Sequence, residues 1–365
     1  MQKLIEISSI SFYKMDITKR LLLITRDPTE EIVTTDELRR VLEAVTYPKH
    51  YIGLELSGKL HLGSLILTGF KINDFIRAQI HSTVFLADWH TYINNKLMGD
   101  WNRIREVSKY YSDAFKFFCP GVNVIIGSEI YENSSDYWEN FVLFSKHMTL
   151  SRIMRSLTIM GRSERESLDF SQLLYPIMQS IDIRALDLDI VHAGMDQRKI
   201  HMLVREVFPK LGWKIPVSVH QHLLQGLAEP TKLGLSEDTF DDVKISSKMS
   251  KSKPASGIII HDDEKTILDK ISRAFCPIGI VGGNPILEMI RYIIFHEFAE
   301  FIIERPTKYG GNTTYTSYND VEQDFIRKKI HPMDLKNATA TYINKIIEPI
   351  RNYFHGKEPN LEFFL

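Results

Sequence analysis

His50-Tyr51-Ile52-Gly53-Leu54-Glu55-Leu56 is an apolar run that ends at the turn Ser57-Gly58-Lys59, and the chain continues through Leu60-His61-Leu62-Gly63-Ser64 into a periodic stretch reaching Ala78. The pattern predicts a strand, a tight turn and a helix opening near Leu62. Ser82-Thr83-Val84-Phe85-Leu86-Ala87-Asp88 follows as a second strand with an apolar centre, as in a buried parallel sheet. Asn123 to Gly127, Leu188 to Val191 and Val217 to Val219 predict further strands, with helices over about 100–118 and from Met195 to Val207 between them. This alternation predicts an α/β fold, a doubly wound parallel sheet of Rossmann-like type. Such sheets bind phosphates where a strand meets a helix N-terminus, which is where Gly58 to Ser64 lie.

The flanks extend this plan. Residues 1–50 read as largely helical; Thr34 and Glu37 have capping-box spacing ahead of Leu38, Val41, Leu42 and Val45 at i, i+3, i+4 and i+7. Helices dominate about 134–185, and about 107–180 is expected to be a helical insertion. Residues 226–262 are rich in Gly, Pro, Ser and Asp, which predicts a long functional loop. Helical periodicity returns over about 264–274, 284–303, 319–328 and 334–354. The expected organisation is a catalytic domain over 1–225, a loop region over 226–262 and a helical C-terminal domain over 263–365.

Forty-five basic residues against 46 acidic ones leave a net charge of −1. That excludes a globally basic nucleic-acid binder but not a local basic face. The two cysteines, Cys119 and Cys276, form no CxxC pair and lie among phenylalanines, so zinc and a disulfide framework are not expected and no metal site is assigned. No apolar run reaches the ~18 residues of a membrane span. Lys3, Glu6, Lys14 and Asp16 break any signal-peptide order, so a cytoplasmic location is expected.

Lys248-Met249-Ser250-Lys251-Ser252 gives the heptamer its meaning. Alone, Gly58 to Ser64 is a weak signal. Two lysines in a loop far along the chain can neutralise charge growing on a leaving pyrophosphate. The two segments together, in this order on an α/β chain, resemble the HIGH and KMSKS hallmarks of the class I aminoacyl-tRNA synthetases. The second matches letter for letter; in the first, Ser64 replaces the usual final histidine. The resemblance implies that His61, Lys248 and Lys251 are catalytic. It implies an ATP site made of Gly58, His61, Gly63, Ser64, Asp196 and the loop residues Lys248, Met249, Ser250, Lys251 and Ser252. ATP enters with Mg²⁺ as a substrate complex, and no tightly bound cofactor is expected.

Tyr175, Gln179 and Asp182 fall at i, i+4 and i+7 of a predicted helix, a polar stripe in an apolar segment. Such a stripe costs stability unless each group finds a partner, so it marks either a buried network or a ligand pocket. With Tyr51-Ile52-Gly53 and Ala193-Gly194-Met195-Asp196-Gln197-Arg198-Lys199-Ile200-His201, it is similar to the archaeal and eukaryotic tyrosyl-tRNA synthetases over about residues 35–354. The resemblance implies that Tyr51 and Asp182 bond the phenolic hydroxyl of L-tyrosine. Tyr175, Gln179 and Gln197 would then hold its ammonium group, with His90 near the ring and Gly53 and Glu55 completing the pocket. A site with buried partners for a hydroxyl rejects the analogue lacking it by ~10⁴–10⁵, a figure already known for tyrosyl enzymes rather than obtained from this sequence.

The same resemblance implies tRNA(Tyr) as partner. Arg155 and Arg198 match positions that read the first acceptor base pair, for which a guanidinium fork is suited. Tyr309, His331 and Asp334 match an anticodon-binding surface, with stacking by flat side chains. Asp334 is alternatively the cap of a helix starting at Leu335. A homodimer through the inserted helices is implied as well. A tryptophanyl-tRNA synthetase and a catalytically inactive RNA-binding paralogue are the alternatives.

Overall fold

The computed structural model describes residues 15–160, 169–229, 249 and 257–357. Six strands form one sheet: β1 (Thr29–Val33), β2 (Lys49–Leu54), β3 (His81–Leu86), β4 (Asn123–Ile126), β5 (Ile190–Gly194) and β6 (Val217–Gln221). Their order is β1-β6-β5-β2-β3-β4. All neighbours pair in parallel except β1, which runs antiparallel to β6. The doubly wound expectation therefore holds for the five parallel strands. β1 departs from the helical reading of residues 1–50. Its Thr-Glu-Glu-Ile-Val sequence has too few apolar residues to signal a strand, and charges on a short edge strand also discourage further pairing.

Local sequence explains the helix starts. Thr34 and Glu37 cap Thr35–Ala44 reciprocally, as their spacing predicted. Asp16 caps Ile17–Thr25, and Asp100 caps Trp101–Phe118. The helix expected after His61 begins as a wider π turn, Leu62–Leu67, before continuing as Thr68–Arg77. The region 284–303 is not one helix. It is helical to Glu297 and then forms β7 (Phe301–Ile303), which pairs with β8 (Thr313–Tyr315). Phe301 and Ile303 point inward and Ile302 outward, a period of two that is too short to stand out beside the preceding helical pattern. Helices Glu264–Arg273, Tyr318–Ile326 and Pro332–Phe354 complete the C-terminal part.

One apolar cluster joins Ile52, Leu62 and Val84 beside the sheet to Ile267, Ile343 and Phe354 of the C-terminal helices. A second cluster gathers Tyr51, Phe85, Tyr175, Ile181 and Val204. Both cysteines are buried free thiols. No helix among the described residues is long and apolar enough to cross a membrane.

A buried polar knot ties the two parts together. Asp74 is enclosed by Lys71 at 3.3 Å, by His296 of the C-terminal part at 3.1 Å and by Arg26. Burial alone would raise the Asp74 carboxyl, but bonds from His296 and Arg26 and the charge of Lys71 hold it at about 2. Burial pushes Lys71 down to about 8 against the pull of Asp74. Replacing Asp74 with Asn should strand the buried ammonium and cost about 3–5 kcal/mol, read as a lowered denaturant midpoint. In the native chain this stabilisation is present above the ordinary carboxylate range and fades as pH falls toward 2.

Candidate functional site

The winding order locates the site. From β2 the chain passes to β3 and β4 on one side, then returns to place β5 and β6 on the other. This reversal opens a crevice at the carboxyl ends of β2 and β5. β2 leads into Glu55 and onward to His61, while β5 leads into Met195, Asp196 and Gln197. Two segments separated by well over a hundred residues thereby converge.

His61 caps the π turn. Its Nδ1 accepts the backbone N–H groups of Gly63 at 3.1 Å and Ser64 at 3.4 Å. A neutral ring bonded this way carries its proton on Nε2, which makes that atom a donor. Ser64 Oγ in turn accepts the His61 N–H at 2.9 Å. The residue that departs from the hallmark thus completes a capping box around the catalytic candidate. A Cβ on Gly63 would sit 3.2 Å from the imidazole, so glycine leaves the ring room to fold over the turn. Gly58 has φ of 119°, a left-handed conformation suited to glycine, and its carbonyl accepts the Tyr111 hydroxyl at 3.0 Å.

The far side of the 226–262 region is tied to this turn. Leu62 N–H donates to Ile258 O at 3.0 Å and Ile260 N–H to Leu60 O at 3.1 Å, setting His61 opposite Ile259. Met249 was expected among the ATP contacts. Its side chain is 5% exposed in the apolar cluster, close against Gly257, and its N–H donates to Leu224 O at 2.7 Å. An apolar thioether gains from such burial. Lys248, Ser250, Lys251 and Ser252 lie outside the described residues.

The other end of the crevice is lined by buried hydroxyls around one carboxylate. Helix Tyr175–Ala185 carries Tyr175, Gln179 and Asp182. Asp182 is 1% exposed; its Oδ1 accepts the Tyr137 hydroxyl at 2.8 Å. Its Oδ2 has no hydrogen-bond partner among the described residues, and His90 Nε2, also unpartnered there, lies 3.6 Å away. Burial pushes the Asp182 carboxyl up to about 8, although bonds from Tyr137 and Tyr131 oppose the shift. Burial lowers His90 to about 3, so the ring is neutral. The hydroxyls of Tyr51, Tyr131 and Tyr137 are raised by burial and then by Asp182's charge, so all stay protonated and face one carboxylate. Tyr131 and Tyr137 escaped the sequence reading because nothing local links them to Asp182. Two tyrosines in an otherwise helical insertion were the available signal.

Tyr175 meets the His90 ring edge-on, with centroids 4.5 Å apart. Gln179 Nε2 donates to Gln197 Oε1 at 3.2 Å, and Gln197 Nε2 donates to Ile159 O at 3.0 Å. That orientation leaves Gln179 Oε1 buried and without a partner among the described residues. Asn94 donates to Glu55 and to Met160 O, fixing the mouth of β2, where Gly53 is exposed. Asn94 was also missed by sequence reasoning. Asp196 is half-buried just after β5; a Cβ on Gly194 would come within 2.7 Å of its carboxylate, so glycine admits it.

The expected tRNA residues fall in two places. Arg155 is exposed on helix Leu150–Ser156. Arg198 opens helix Arg198–Val207, and its fork grips Glu31 of β1 at 2.8–3.0 Å. Far from both in sequence, Tyr309 is 65% exposed in the β7–β8 connection, with Lys308 Nζ 4.8 Å from its ring centroid. Arg305 holds that connection through Gly311 O and Thr313, and reaches Lys329 O at 3.3 Å. The last helix begins at Pro332 rather than Leu335, and His331 caps it by accepting the Met333 N–H at 3.2 Å. Asp334 is therefore not the cap; it lies in the first turn, where a carboxylate complements the helix dipole.

Comparison with known proteins matches residues 46–348 to the family described as tRNA synthetases class I (W and Y). The tyrosine–tRNA ligase of Pyrococcus horikoshii is 46% identical, over 95% of this chain and 98% of the relative. That of Saccharolobus solfataricus is 44% identical, over 95% of each. The solved structure of the Pyrococcus horikoshii tyrosyl-tRNA synthetase complexed with L-tyrosine superposes with a TM-score of 0.88 at 45% identity, covering 96% of this chain and 99% of that one. The parallel sheet, the crevice at its winding reversal and near full-length identity to these ligases agree, and the chain belongs to the class I tRNA synthetases of the tryptophan and tyrosine type, among the tyrosine–tRNA ligases.

Proposed function

We propose that the chain activates L-tyrosine with ATP and transfers it to tRNA(Tyr), and that the residues gathered at the crevice carry out both steps. A tyrosine carboxylate oxygen attacks the α-phosphorus of the magnesium–ATP complex. The α–β bridging bond breaks and pyrophosphate leaves. The terminal ribose hydroxyl of tRNA then attacks the carbonyl carbon of the mixed anhydride, releasing AMP. No protein nucleophile is needed; positioning and charge stabilisation supply the rate. His61, with Nε2 as donor, serves the α-phosphate. Lys248 and Lys251 serve the departing pyrophosphate, and Asp196 the ribose.

The observation that carries the reading is the set of buried, neutral hydroxyl groups around Asp182. Its Oδ2, without a partner among the described residues, His90 Nε2 and the Tyr51 hydroxyl suit a substrate phenol. Tyr175, Gln179, whose Oε1 has no partner among the described residues, and Gln197 suit an ammonium group. Residues 1–225 form the catalytic domain in this reading, 226–262 its loop and 263–365 the anticodon domain. Tyr309, His331 and Asp334 face the anticodon, and Arg155 and Arg198 face the acceptor end. Trp138, Val142 and Leu143 are exposed on helix Tyr137–Ser145, an apolar face that suits a second copy of the chain in a cytoplasmic homodimer. Pyrophosphate exchange with each of the twenty amino acids tests the reading. Tyrosine alone should support exchange, and exchange with tryptophan or with none would overturn it.

Two variants probe the roles. Asp182→Asn should lower tyrosine-dependent exchange about 10- to 100-fold, the cost of leaving a buried polar partner unsatisfied. The same change should stabilise the ligand-free protein. A carboxyl raised from 3.8 to about 8 on folding costs nothing at acid pH and increasingly more as pH climbs toward 8. The gain in melting temperature should widen over that interval and level off above it. Lys248→Ala or Lys251→Ala should slow adenylate formation about 10²–10³-fold in single-turnover kinetics while tyrosine affinity changes little. Equal losses in both would contradict a leaving-group role.

A further inference from the structure

The strand-like pairing that fixes His61 is itself held by three charged side chains outside the crevice. Lys270, on helix Glu264–Arg273, donates from Nζ to Gly257 O at 3.0 Å and to Asp262 Oδ2 at 2.6 Å. The same Oδ2 accepts the Ile259 N–H at 3.0 Å. Arg351, on helix Pro332–Phe354, donates from Nη1 to Asp262 O at 2.8 Å. Asp262 is only 7% exposed. The Asp262 carboxylate with Lys270, and Arg351 on the Asp262 carbonyl, thus hold the residues flanking Ile258–Ile260, the stretch paired with Leu60–Leu62.

A second path makes the same connection. Tyr110 accepts the Leu60 N–H at 3.3 Å and bonds His261 Nε2 at 2.9 Å. Phe354, at the end of the last helix, packs against both rings, with centroids 5.3 and 5.5 Å away. That helix has 23 residues and spans about 35 Å. Its other end carries Asp334, and Lys336 there donates to Ser272 O of helix Glu264–Arg273 at 3.0 Å. One helix, with Pro349 interrupting its backbone ladder just before Arg351, therefore has a surface site at its first turn and the support of His61 at its last.

We propose that Asp262, Lys270 and Arg351 are positioning residues that set the place of His61 and couple it to the helix bearing Asp334. The inference rests on the ligase reading and on the anticodon role of that helix end. None of the three touches the reacting atoms. They act through the Ile258–Ile260 register, and a displacement at Asp334 reaches them along the helix. Small shifts suffice, because a ~1 Å misplacement of a catalytic group costs up to ~10²-fold in rate.

The test uses the full chain. Pyrophosphate exchange is measured against ATP and tyrosine, and charging is measured on the native tRNA transcript and on one with its first anticodon base replaced. Lys270→Met should lower the exchange kcat about 10- to 100-fold with the tyrosine KM within about twofold, and Lys270→Arg should recover most of the loss. Arg351→Met should narrow the charging ratio between the two transcripts by about fivefold or more, and Arg351→Lys should preserve it. All variants are assayed below their melting temperatures, and where Lys270→Met or Arg351→Met fails to fold, Lys270→Gln or Arg351→Gln takes its place with the same expected outcome. An unchanged exchange kcat, or a tyrosine KM that rises as much as kcat falls, would overturn the positioning role. An unchanged transcript ratio in Arg351→Met would overturn the coupling. Absence of tyrosine-dependent exchange in the native chain would instead overturn the ligase reading, and this inference with it.

Discussion

Parallel strands can be joined only by crossovers, and crossovers keep one hand. A sheet wound outward from β2 through β3 and β4 must return before β5 and β6 can be added on the other side. That return leaves the carboxyl ends of β2 and β5 uncovered side by side. Every candidate group of the crevice hangs from those two ends or from the helices that lean over them. Gly63 and Gly194 admit the close approaches that His61 and Asp196 make there. The C-terminal helices share a core with the sheet, and Ile258–Ile260, just ahead of them, pairs with Leu60–Leu62.

Against this frame, the Asp182 pocket is a local conflict between stability and selectivity. A carboxylate, a neutral imidazole and several phenols are buried together, and two of their polar atoms have no partner among the described residues. A packed apolar core would be more stable. The arrangement makes sense where a ligand supplies the missing hydrogen bonds, because a substrate lacking its hydroxyl leaves the same groups unsatisfied. The pocket needs no net charge to discriminate, since desolvation supplies the penalty.

Much of the frame was legible because its signals are local. β2 and β3 are apolar runs with turns at their ends, and Thr34 with Glu37 announced a helix start within four residues. Tyr175, Gln179 and Asp182 share a helix, so their spacing was informative. What was missed depends on distant partners. β1 is held partly by Glu30 and Glu31 meeting His222 and His220 of the strand beside it and its exit. Tyr137 meets Asp182 across 45 residues. The burial of the Met249 side chain depends on Gly257 and Leu224, which no motif spacing encodes. Asp334 was a candidate cap only until Pro332 and His331 moved the helix start upstream.

The central claim is that buried hydroxyl partners choose the amino acid. The most direct measurement is the ratio of kcat/KM for tyrosine over phenylalanine in pyrophosphate exchange by the native chain. The account predicts a ratio on the order of 10⁴ or more. A ratio near ten, the scale set by apolar contacts alone, would contradict it.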